Sequence, residues 1–438
     1  MKKSINAAKP YPQAATNFLL ITVLSTSLFL FASCQKDISK PGVEEETNST
    51  VSNSIELKQT KKVYVATLDE LYTAVNDPNN EGGEVVIAPG TYTLNASFPN
   101  GGRLEFQPDM TLKGLAGDPS AVVIDQSSLP AASFTIPAGR TGGIRMGRGT
   151  NTIEWMSLIG GVVAANPFSV INTDLLSTET NIIISHVYVN SNGSNLGINL
   201  RNRLAEHANR KIYAELTDNE ITGGVNFNGF ALAIQNANGS SGALISVTMR
   251  NNYIHGNKVG ILAFSSAQTI TLANCVIDVK SYNDRIEGNG VGIDPNAGVN
   301  QASTTTANNN FTSFKMYGTS IRDNNPSPLP PALTPVNGAL PGGIYAAAAY
   351  NSVNNISGFN RASDNTMRLE FHGCDISNNG AVDIYAYGAW CPPATVLAGS
   401  NNLLDVYLYG LSANAIVNSA ASEPVEPAGT NVVNVVRN

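Results

Sequence analysis

The chain has 438 residues, of which 26 are lysine or arginine and 33 are aspartate or glutamate, so its formal net charge is −7. This balance argues against nucleic acid and anionic membranes as partners, because both carry negative charge. A local basic patch can still bind an acidic polysaccharide. Only 13% of the residues are charged and 39 are glycine, a composition that favours a turn-rich β protein over a helical one.

Residues 1–33 have the pattern of a lipoprotein signal peptide. Lysines precede an apolar run from Phe18 to Ala32, which is shorter than the roughly 20 residues of a membrane span and suits a signal peptide. The run leads into Phe-Ala-Ser-Cys, which resembles a bacterial lipobox with Phe31 in the position of the usual leucine. The resemblance implies acylation of Cys34 and an anchor in the outer membrane. The alternatives are an ordinary cleaved signal and an uncleaved anchor.

Residues 34–62 form a polar segment, typical of a flexible tether between the lipid and a folded domain. Its first residues, Gln35 to Asp37, resemble the signal that exports some Gram-negative lipoproteins to the outer leaflet. We therefore expect the protein to be exposed at the cell surface. Residues 63–438 are predicted to form one domain.

The domain begins with a short amphipathic helix. Thr67 and Glu70 have the spacing of a capping box, and apolar residues then recur at helical spacing, at Leu68, Leu71, Tyr72 and Val75. Two strands are predicted after the helix, at Val85–Ile87 and Thr91–Leu94, around a Pro-Gly turn.

Beyond these strands an eight-residue pattern recurs. Positions 1, 3 and 8 are apolar, position 5 is Asp, Asn or Gly, which tolerate a bend with positive φ, and position 6 is small. The clear copies are Ala214–Ile221, Val247–Ile254, Ile270–Ile277, Phe314–Ile321 and Leu369–Ile376, and the looser ones are Met110–Gly117, Ile182–Val189 and Leu404–Leu411. A second short strand follows each clear copy. Unequal spacing is compatible with a solenoid, whose turns can lengthen while its coils stay in register.

This organisation resembles the pectin-lyase-like superfamily. The resemblance lies in the segment from Thr67 to Leu94 and in the repeat Asn-x-x-Ile-x-x-Asn-x-x-Gly-Ile between Asn251 and Ile261. It implies an all-β fold, a right-handed parallel β-helix (solenoid) with a short N-terminal capping helix, and it says almost nothing about the reaction. We expect a monomer that binds polysaccharide.

Octet positions 2 and 4 alternate with the inward positions 1 and 3, so they form one solvent-facing strip. We call it the octet strip. Its predicted members, in chain order, are Glu215, Thr217, Thr248, Arg250, Thr271, Ala273, Lys315, Tyr317, Glu370, His372, Asp405 and Tyr407.

Elimination of a uronic acid is the reaction that this strip favours. Arg250 and Lys315 would lie two coils apart, ~10 Å at ~4.8 Å per coil, with small residues between them and room for a sugar ring. Lys315, Tyr317 and Arg250 are the candidate catalytic residues, with the phenol as acid and the guanidinium as a carboxylate clamp. The alternative is that Lys315 only forms an ion pair with Glu370 on the next coil.

Hydrolysis fits less well, because Glu215 and Glu370 would be ~19 Å apart against the ~5–9.5 Å of a hydrolytic carboxylate pair. The remaining polar residues of the strip are candidates for substrate binding: Glu215, Glu370, His372 and Tyr407. The histidines lack the spacing of a zinc site, and a calcium requirement stays open.

A non-catalytic function is the alternative. Outward tyrosines could stack on sugar rings, and the protein would then be a glycan-binding or adhesive surface protein; the candidates are Tyr317, Tyr345, Tyr385, Tyr387 and Tyr407. Cys275 and Cys374 are expected to be free buried thiols in one inward column, ~10 Å apart and beyond the ~7 Å limit of a disulfide.

Overall fold

A computed structural model of the chain describes residues 61–134, 142–161, 168–173, 178–193, 196–225, 229–301, 304–325, 342–351, 362–390, 399–423 and 430–438. Cys34, the predicted signal peptide and nearly all of the predicted tether lie outside these residues, so lipidation stays a prediction. In the described part of the chain, no helix is long and apolar enough to cross a membrane.

The described chain is a coil of parallel strands with three walls. The first wall contains β1 (Lys62–Val65), β2 (Glu84–Ile87), β5 (Thr111–Gly114), β12 (Lys211–Thr217), β15 (Leu244–Arg250), β19 (Val276–Tyr282), β23 (Phe311–Tyr317), β26 (Thr366–His372), β29 (Leu403–Tyr409) and β31 (Val432–Arg437). The second wall contains β3 (Gly90–Thr93), β6 (Val122–Asp125), β13 (Glu220–Thr222), β16 (Tyr253–His255), β20 (Arg285–Glu287), β24 (Ser320–Arg322) and β27 (Asp375–Ser377). These walls join in one 19-stranded sheet, because two strands run around the corner between them: β8 (Gly149–Ile159) and β10 (Glu179–Asn190).

The third wall is a ten-stranded sheet. It contains β4 (Leu104–Glu105), β7 (Gly142–Arg145), β9 (Ser169–Asn172), β11 (Leu196–Asn202), β14 (Phe230–Ala237), β17 (Val259–Ala267), β21 (Val291–Asn300), β25 (Gly342–Asn351), β28 (Ile384–Trp390) and β30 (Val417–Glu423). A small extra pair joins β18 (Leu272–Ala273) to β22 (Ala307–Asn308). Short 3-10 turns occur at Pro78–Asn80, Pro99–Gly101, Ala131–Phe134, Ala205–His207 and Gly410–Asn414. The parallel β-helix predicted from the repeats is confirmed.

Helix α1 (Leu68–Asn76) covers the N-terminal end of the coil, as predicted. Thr67 Oγ1 accepts from the Glu70 backbone N–H at 3.2 Å, and Glu70 Oε2 accepts from the Thr67 N–H at 3.1 Å. This capping box satisfies donors that the first helical turn leaves unpaired. Leu71 and Val75 are completely buried on the face that meets the core.

The core runs the length of the coil as columns of apolar side chains. Position 1 of successive octets is buried in each coil, as in Ala214, Val247, Val279, Phe314 and Leu369. Burying one large apolar side chain stabilises a fold by about 1.5–3 kcal/mol, so the repetition of this column explains why the sequence pattern is strong.

We call the corner between the first and second walls the first corner. The chain bends there at octet position 5 through a left-handed residue, with φ of 54° at Asp218, 55° at Asn251 and 60° at Gly318. This confirms the prediction made from the residue types at position 5. Buried side chains at position 6 form a ladder, in which Nδ2 of Asn219 donates to Oδ1 of Asn252 at 2.9 Å.

Similar ladders fill the two other corners. The second corner, between the second and third walls, is filled by Asn257, Asn289, Asn324, Asn379 and Asp383. The third corner, which leads into the next coil, is filled by Asn310, Asn365, Asn402 and Asn431. Each amide also bonds backbone groups of adjacent coils, and a buried backbone group without such a partner would destabilise the corner.

One predicted octet is in the wrong place. In the structure Thr248 pairs with Lys280 and Arg250 pairs with Tyr282, so the coil after Arg250 carries the octet Val279–Ile286 in place of Ile270–Ile277. The error has a physical cause, because Asn274, with φ of 60°, and Cys275 form the same kind of bend at the third corner. Leu404–Leu411 is also displaced by two residues, since His372 pairs with Tyr409.

Cys275 and Cys374 are buried and free, as predicted, and burial raises the pKa of their thiols to about 12 and about 11. Their predicted place in one column is wrong. Cys374 lies in the first corner, where Sγ donates to the Met316 carbonyl at 3.4 Å. Cys275 lies in the third corner, where its backbone N–H donates to Asn310 Oδ1 at 3.0 Å.

Asp284 ends the asparagine run of the first corner, and its replacement by asparagine is expected to stabilise the protein. Asn252 donates to its Oδ1 at 2.8 Å and Ser281 donates to its Oδ2 at 2.5 Å, while burial raises the pKa of the carboxyl. In Asp284→Asn, Nδ2 would donate to Ser281, whose hydroxyl can turn to Thr319 Oγ1 at 2.8 Å. At pH 7 the gain is expected to be on the order of 1 kcal/mol, because no charge is buried.

The pH dependence of unfolding tests this prediction. A carboxyl whose folded pKa is raised lowers stability as pH rises from its unfolded pKa through its folded pKa. The advantage of Asp284→Asn should therefore grow over that range and vanish in strong acid, as measured by urea unfolding. Asp383→Asn is the control: Oδ1 accepts from Asn379 and Oδ2 from the Ile416 N–H at 2.9 Å, so the amide loses a bond and should destabilise. A less stable Asp284→Asn at pH 7 would contradict the account.

Candidate functional site

The octet strip lies on the outer face of the first wall, as predicted, with a corrected membership. Position 2 of successive coils carries Glu215, Thr248, Lys280, Lys315, Glu370 and Tyr407, and position 4 carries Thr217, Arg250, Tyr282, Tyr317, His372 and Tyr409. Lys280 and Tyr282 therefore stand between Arg250 and Lys315, where small Thr271 and Ala273 were expected. The predicted gap for a sugar ring is wrong.

Position 4 forms a stack of rings along the coil axis. Ring centroids are 5.2 Å apart for Tyr282 and Tyr317, 4.8 Å for Tyr317 and His372, and 4.6 Å for His372 and Tyr409. The Arg250 guanidinium covers the first ring, 4.3 Å from the centroid of Tyr282. Both faces of Tyr317 and of His372 are thus occupied by neighbouring rings. These side chains present their edges to solvent, so Tyr317 does not offer the stacking platform that the sequence suggested.

Glu370 is surrounded by the nitrogen atoms of three side chains on the outer face of the first wall. Its carboxylate lies 3.7 Å from Lys315 Nζ, 2.5 Å from Arg368 Nε and 3.5 Å from His372 Nε2. Only 8% of Glu370 is exposed. The ion pair that we named as the alternative role of Lys315 is present. Tyr407 lies beside Glu370 in register with Arg368 over its ring at 5.0 Å, and Glu215 is exposed.

Catalytic roles for Arg250, Lys315 and Tyr317 stay predictions, and a pair of variants tests them. We expect Arg250→Ala and Lys315→Ala each to change turnover of an acidic glycan by less than about threefold, because Arg250 already covers the ring of Tyr282 and Lys315 already forms an ion pair with Glu370. The melting temperature should hardly change, since such side chains contribute within about 0.5 kcal/mol. A tenfold or greater loss of turnover with unchanged folding would show that the reaction takes place on the octet strip.

The outer face of the third wall differs from the octet strip, because its side chains are buried on both sides of the sheet. Strands β11, β14, β17 and β21 are buried almost without interruption. Polar side chains nevertheless occupy its outward positions, and a buried polar group lowers stability unless it is hydrogen-bonded. They are Arg145, Asn172, Asn199, Arg201, Gln235, Asp294 and Asn296.

Asp294 is a buried carboxylate on this face. It follows the core residue Ile293 along β21 and pairs in register with Leu262 of the preceding coil, which places it outward. Asn296 Nδ2 donates to its Oδ1 at 2.7 Å, and of the described residues only Asn296 donates to this carboxyl. Burial raises the pKa of Asp294 to about 7. Near neutral pH the group therefore exists in both protonation states, as a general base requires.

Tyr345 occupies the matching outward position on the next coil, after Ile344, which pairs with Ile293. Its hydroxyl is buried and has no hydrogen-bond partner among the described residues. Burial, followed by the charge of Asp294, raises the pKa of Tyr345 well above its usual value. The phenol therefore keeps its proton throughout the range in which the neighbouring carboxyl titrates.

Aromatic rings surround this pair. Tyr387 and Trp390 meet the ring of Tyr345 edge-on at 5.9 and 5.4 Å, and Trp390 stacks on Tyr350 at 5.0 Å. Two further rings, of Phe264 and Tyr385, pack against the same cluster and are partly exposed. Tyr345, Tyr385 and Tyr387, which the sequence suggested as stacking residues, thus lie together on the third wall, away from the octet strip.

The N-terminal part of the same face is cationic. Arg201 stands three coils before Asn296 in register, ~14 Å at ~4.8 Å per coil. Burial, aided by the charges of Arg210 and Arg201, lowers the pKa of His207 to about 4. The histidine is therefore neutral at physiological pH, and the positive charge of this region comes from its arginines.

Among the described residues, no group of three or more His, Cys, Asp or Glu side chains could hold a metal ion. The other carboxylate described on this face, Glu105, pairs with Arg103 at 3.0 Å and with Arg145 at 3.4 Å. It is six coils from Asp294, ~29 Å at ~4.8 Å per coil. Asp294 and Glu105 therefore cannot act as the carboxylate pair of a hydrolase, which needs ~5–9.5 Å.

Several solved structures are similar to this chain, among them two lyases and an epimerase module. A pectate lyase matches with a TM-score of 0.38 and 12% identity over 83% of this chain and 78% of its own. The A-module of the Azotobacter vinelandii mannuronan C-5 epimerase matches with a TM-score of 0.39 and 12% identity over 84% and 90%. A rhamnogalacturonan lyase matches with a TM-score of 0.30 and 10% identity over 84% and 89%.

No family model matches the sequence, and no curated protein matches it either. The likenesses to solved structures concern the fold alone.

Proposed function

We propose that the outer face of the third wall binds a polysaccharide and that Asp294 and Tyr345 transfer protons in the β-elimination of a uronic-acid glycan. One observation carries the proposal. A carboxyl whose pKa lies at about 7 stands on the coil next to a buried tyrosine hydroxyl that has no hydrogen-bond partner in the described part of the chain. Two neighbouring groups with well-separated pKa values are suited to act as base and acid.

The reaction follows from these two groups. The Asp294 carboxylate removes the proton at C5 of the sugar, next to the carboxylate group. The electron pair of that C–H bond forms the C4–C5 double bond, and the bond between C4 and the glycosidic oxygen breaks. Tyr345 donates its proton to the leaving oxygen, and the proton on Asp294 returns to the phenolate. Neither water nor a redox partner is consumed.

Elimination suits this face better than hydrolysis, because no second carboxylate of the described third wall lies within reach of Asp294. The arginines toward the N-terminal end supply the charge that an acidic chain needs. Arg201 is three coils away, a distance that suits the carboxylate of another sugar unit in the same chain.

A non-catalytic glycan-binding or adhesive protein is the second candidate. The low exposure of the central pair favours it, since 1% of Tyr345 and 8% of Asp294 are exposed. A closed face of this kind would contribute to packing, and sugar would then bind elsewhere on the coil.

Incubation of the domain with uronic-acid and neutral polysaccharides separates these functions. The proposal expects products with ultraviolet absorbance from the new double bond, formed from a uronic-acid polymer and absent with neutral glucan. Saturated products would indicate hydrolysis. Binding without any product would support the second candidate.

We further propose, from the sequence, that acylation of Cys34 holds the protein in the outer membrane with the coil at the cell surface.

A further inference from the structure

The first corner carries two bulky residues in a backbone conformation that suits Asn, Asp or Gly. Trp155 has φ of 58° and His186 has φ of 55°, whereas later coils use Asp218, Asn251 and Asn283 at the same position. Left-handed backbone is a genuine outlier for a side chain as bulky as that of Trp155, whereas histidine is enriched there together with asparagine and aspartate. The bend therefore does not require an indole or an imidazole, and such local strain is concentrated at functional positions.

The two rings form one platform at the surface. Their centroids are 3.9 Å apart with an interplanar angle of 16°. His186 Nε2 lies 3.5 Å from Asp218 Oδ2, and both of these side chains are more than a third exposed. The imidazole covers one face of the indole and is itself oriented by a carboxylate.

The other face of the indole is not covered by its counterpart on the preceding coil. Lys113 pairs in register with Glu154, so the residue that matches Trp155 is Gly114, which has no side chain. Leu115 follows and is 56% exposed. Polar groups border the platform, because Lys113 Nζ lies 3.0 Å from Glu154 Oε2.

We infer that Trp155 and His186 form a second sugar-binding site, which holds one unit of the polysaccharide by stacking the apolar face of its ring on the indole. The flanking Lys113, Glu154 and Asp218 supply hydrogen-bond partners for hydroxyl groups. An aromatic face with polar groups at its edge suits a ring with an apolar face and a polar rim. The platform is too small for a protein partner, since a stable protein interface takes about 20–30 residues from each side.

This site faces away from the third wall, and it rests on the proposed function only in the choice of polysaccharide as ligand. It does no chemistry. Its role is to hold the chain of a long substrate, or the surface of an insoluble one, on the side of the coil opposite Asp294 and Tyr345.

Tryptophan fluorescence tests the site directly, because the full sequence contains two tryptophans, Trp155 and Trp390. The Trp390→Phe variant leaves Trp155 as the one reporter. Titration with polygalacturonate, alginate and a neutral β-glucan should change its emission with saturation for at least one polymer. Carrying Asp294→Asn in the same chain prevents turnover, so a failure of the proposed reaction does not affect the result.

The substitutions at the corner should then separate binding from folding. Binding of these variants is measured by isothermal titration calorimetry, which needs no tryptophan reporter. Trp155→Asn and His186→Asn are each expected to weaken binding of the responding polymer about tenfold, with an unchanged or higher melting temperature because asparagine suits the left-handed backbone. Asn283→Gly, at the same left-handed position two coils after Asp218, is the matched control and should bind as the parent does. No change in emission with any polymer, or unchanged binding together with a lower melting temperature in Trp155→Asn, would overturn the inference.

Discussion

Asp294→Asn is expected to lower turnover of a uronic-acid polysaccharide about a thousandfold. Asparagine has the same shape and can still accept the hydrogen bond from Asn296, but it cannot remove a proton. Tyr345→Phe removes the proton donor and is expected to lower turnover about a hundredfold. Turnover is measured as the rate of absorbance increase from the unsaturated product.

The pH profile gives an independent test of the same pair. Because the carboxyl must be ionised to act as a base, turnover should rise as the pH passes about 7, the pKa of Asp294. No fall is expected in the mildly alkaline range, since the pKa of Tyr345 is raised well above its usual value. Stability should change in the opposite direction. The pKa of Asp294 is higher in the folded protein than in the unfolded chain, so the free energy of unfolding falls as the pH rises from about 4 to about 7.

The Asp294→Asn variant does not undergo this loss of stability. It should therefore be more stable than the wild type at pH 8, although it is inactive. A residue that only supported packing would not show this opposition between stability and turnover. Tyr385→Phe is the matched control, because Tyr385 is next to Tyr345 in register and its hydroxyl has no part in the reaction. Full turnover in Asp294→Asn, or equal losses in both tyrosine variants, would rule the pair out.

The fold could be predicted because each coil repeats the same physical requirements. An apolar residue must enter the core at positions 1, 3 and 8, and a residue that tolerates positive φ must make the bend. Asn219 and Asn252 satisfy the corner in one coil after another, 33 residues apart. The capping helix was equally clear, because Thr67 and Glu70 carry out a local function that needs no tertiary information.

The predicted strand register was wrong where two corners carry the same residue types. Asn274 and Cys275 fit the octet because a left-handed residue is followed by a buried one at the third corner. Asn283 and Asp284 make the same arrangement at the first corner, where the octet belongs. Even spacing would have distinguished them, since Asp284 lies 32 residues after Asn252. The error placed small residues where Lys280 and Tyr282 stand, and the predicted catalytic gap depended on it.

The third-wall site was missed for a different reason. Alternation identifies an outward position only where that face meets water, and the strands of the third wall are buried on both faces. The sequence of the strand nevertheless distinguishes Asp294, because it is the one charged residue of β21, Val291–Asn300. Whether such a residue has a chemical role depends on Tyr345 and Asn296, and the distance from Asp294 to Tyr345 along the chain hides that relation.

Cys34→Ser is expected to move the protein from the membrane fraction into the soluble fraction almost completely. Acyl chains on the cysteine are the proposed anchor, and more than one chain is needed for stable attachment. Because the apolar run from Phe18 to Ala32 is shorter than the roughly 20 residues of a membrane-spanning helix, no other part of the predicted signal peptide should replace the lipid. Fractionation of cells followed by immunoblotting measures the distribution.

Ser33→Ala is the matched control, because it keeps a small residue before the cysteine and should still sediment with membranes. Protease treatment of intact cells then tests which side of the membrane the coil occupies. Degradation of the wild type without cell lysis is expected for a surface protein whose substrate is a polymer too large to cross the outer membrane. A Cys34→Ser variant that sediments as the wild type does would show that the anchor lies elsewhere, and the activity proposed for Asp294 and Tyr345 would be unaffected by that result.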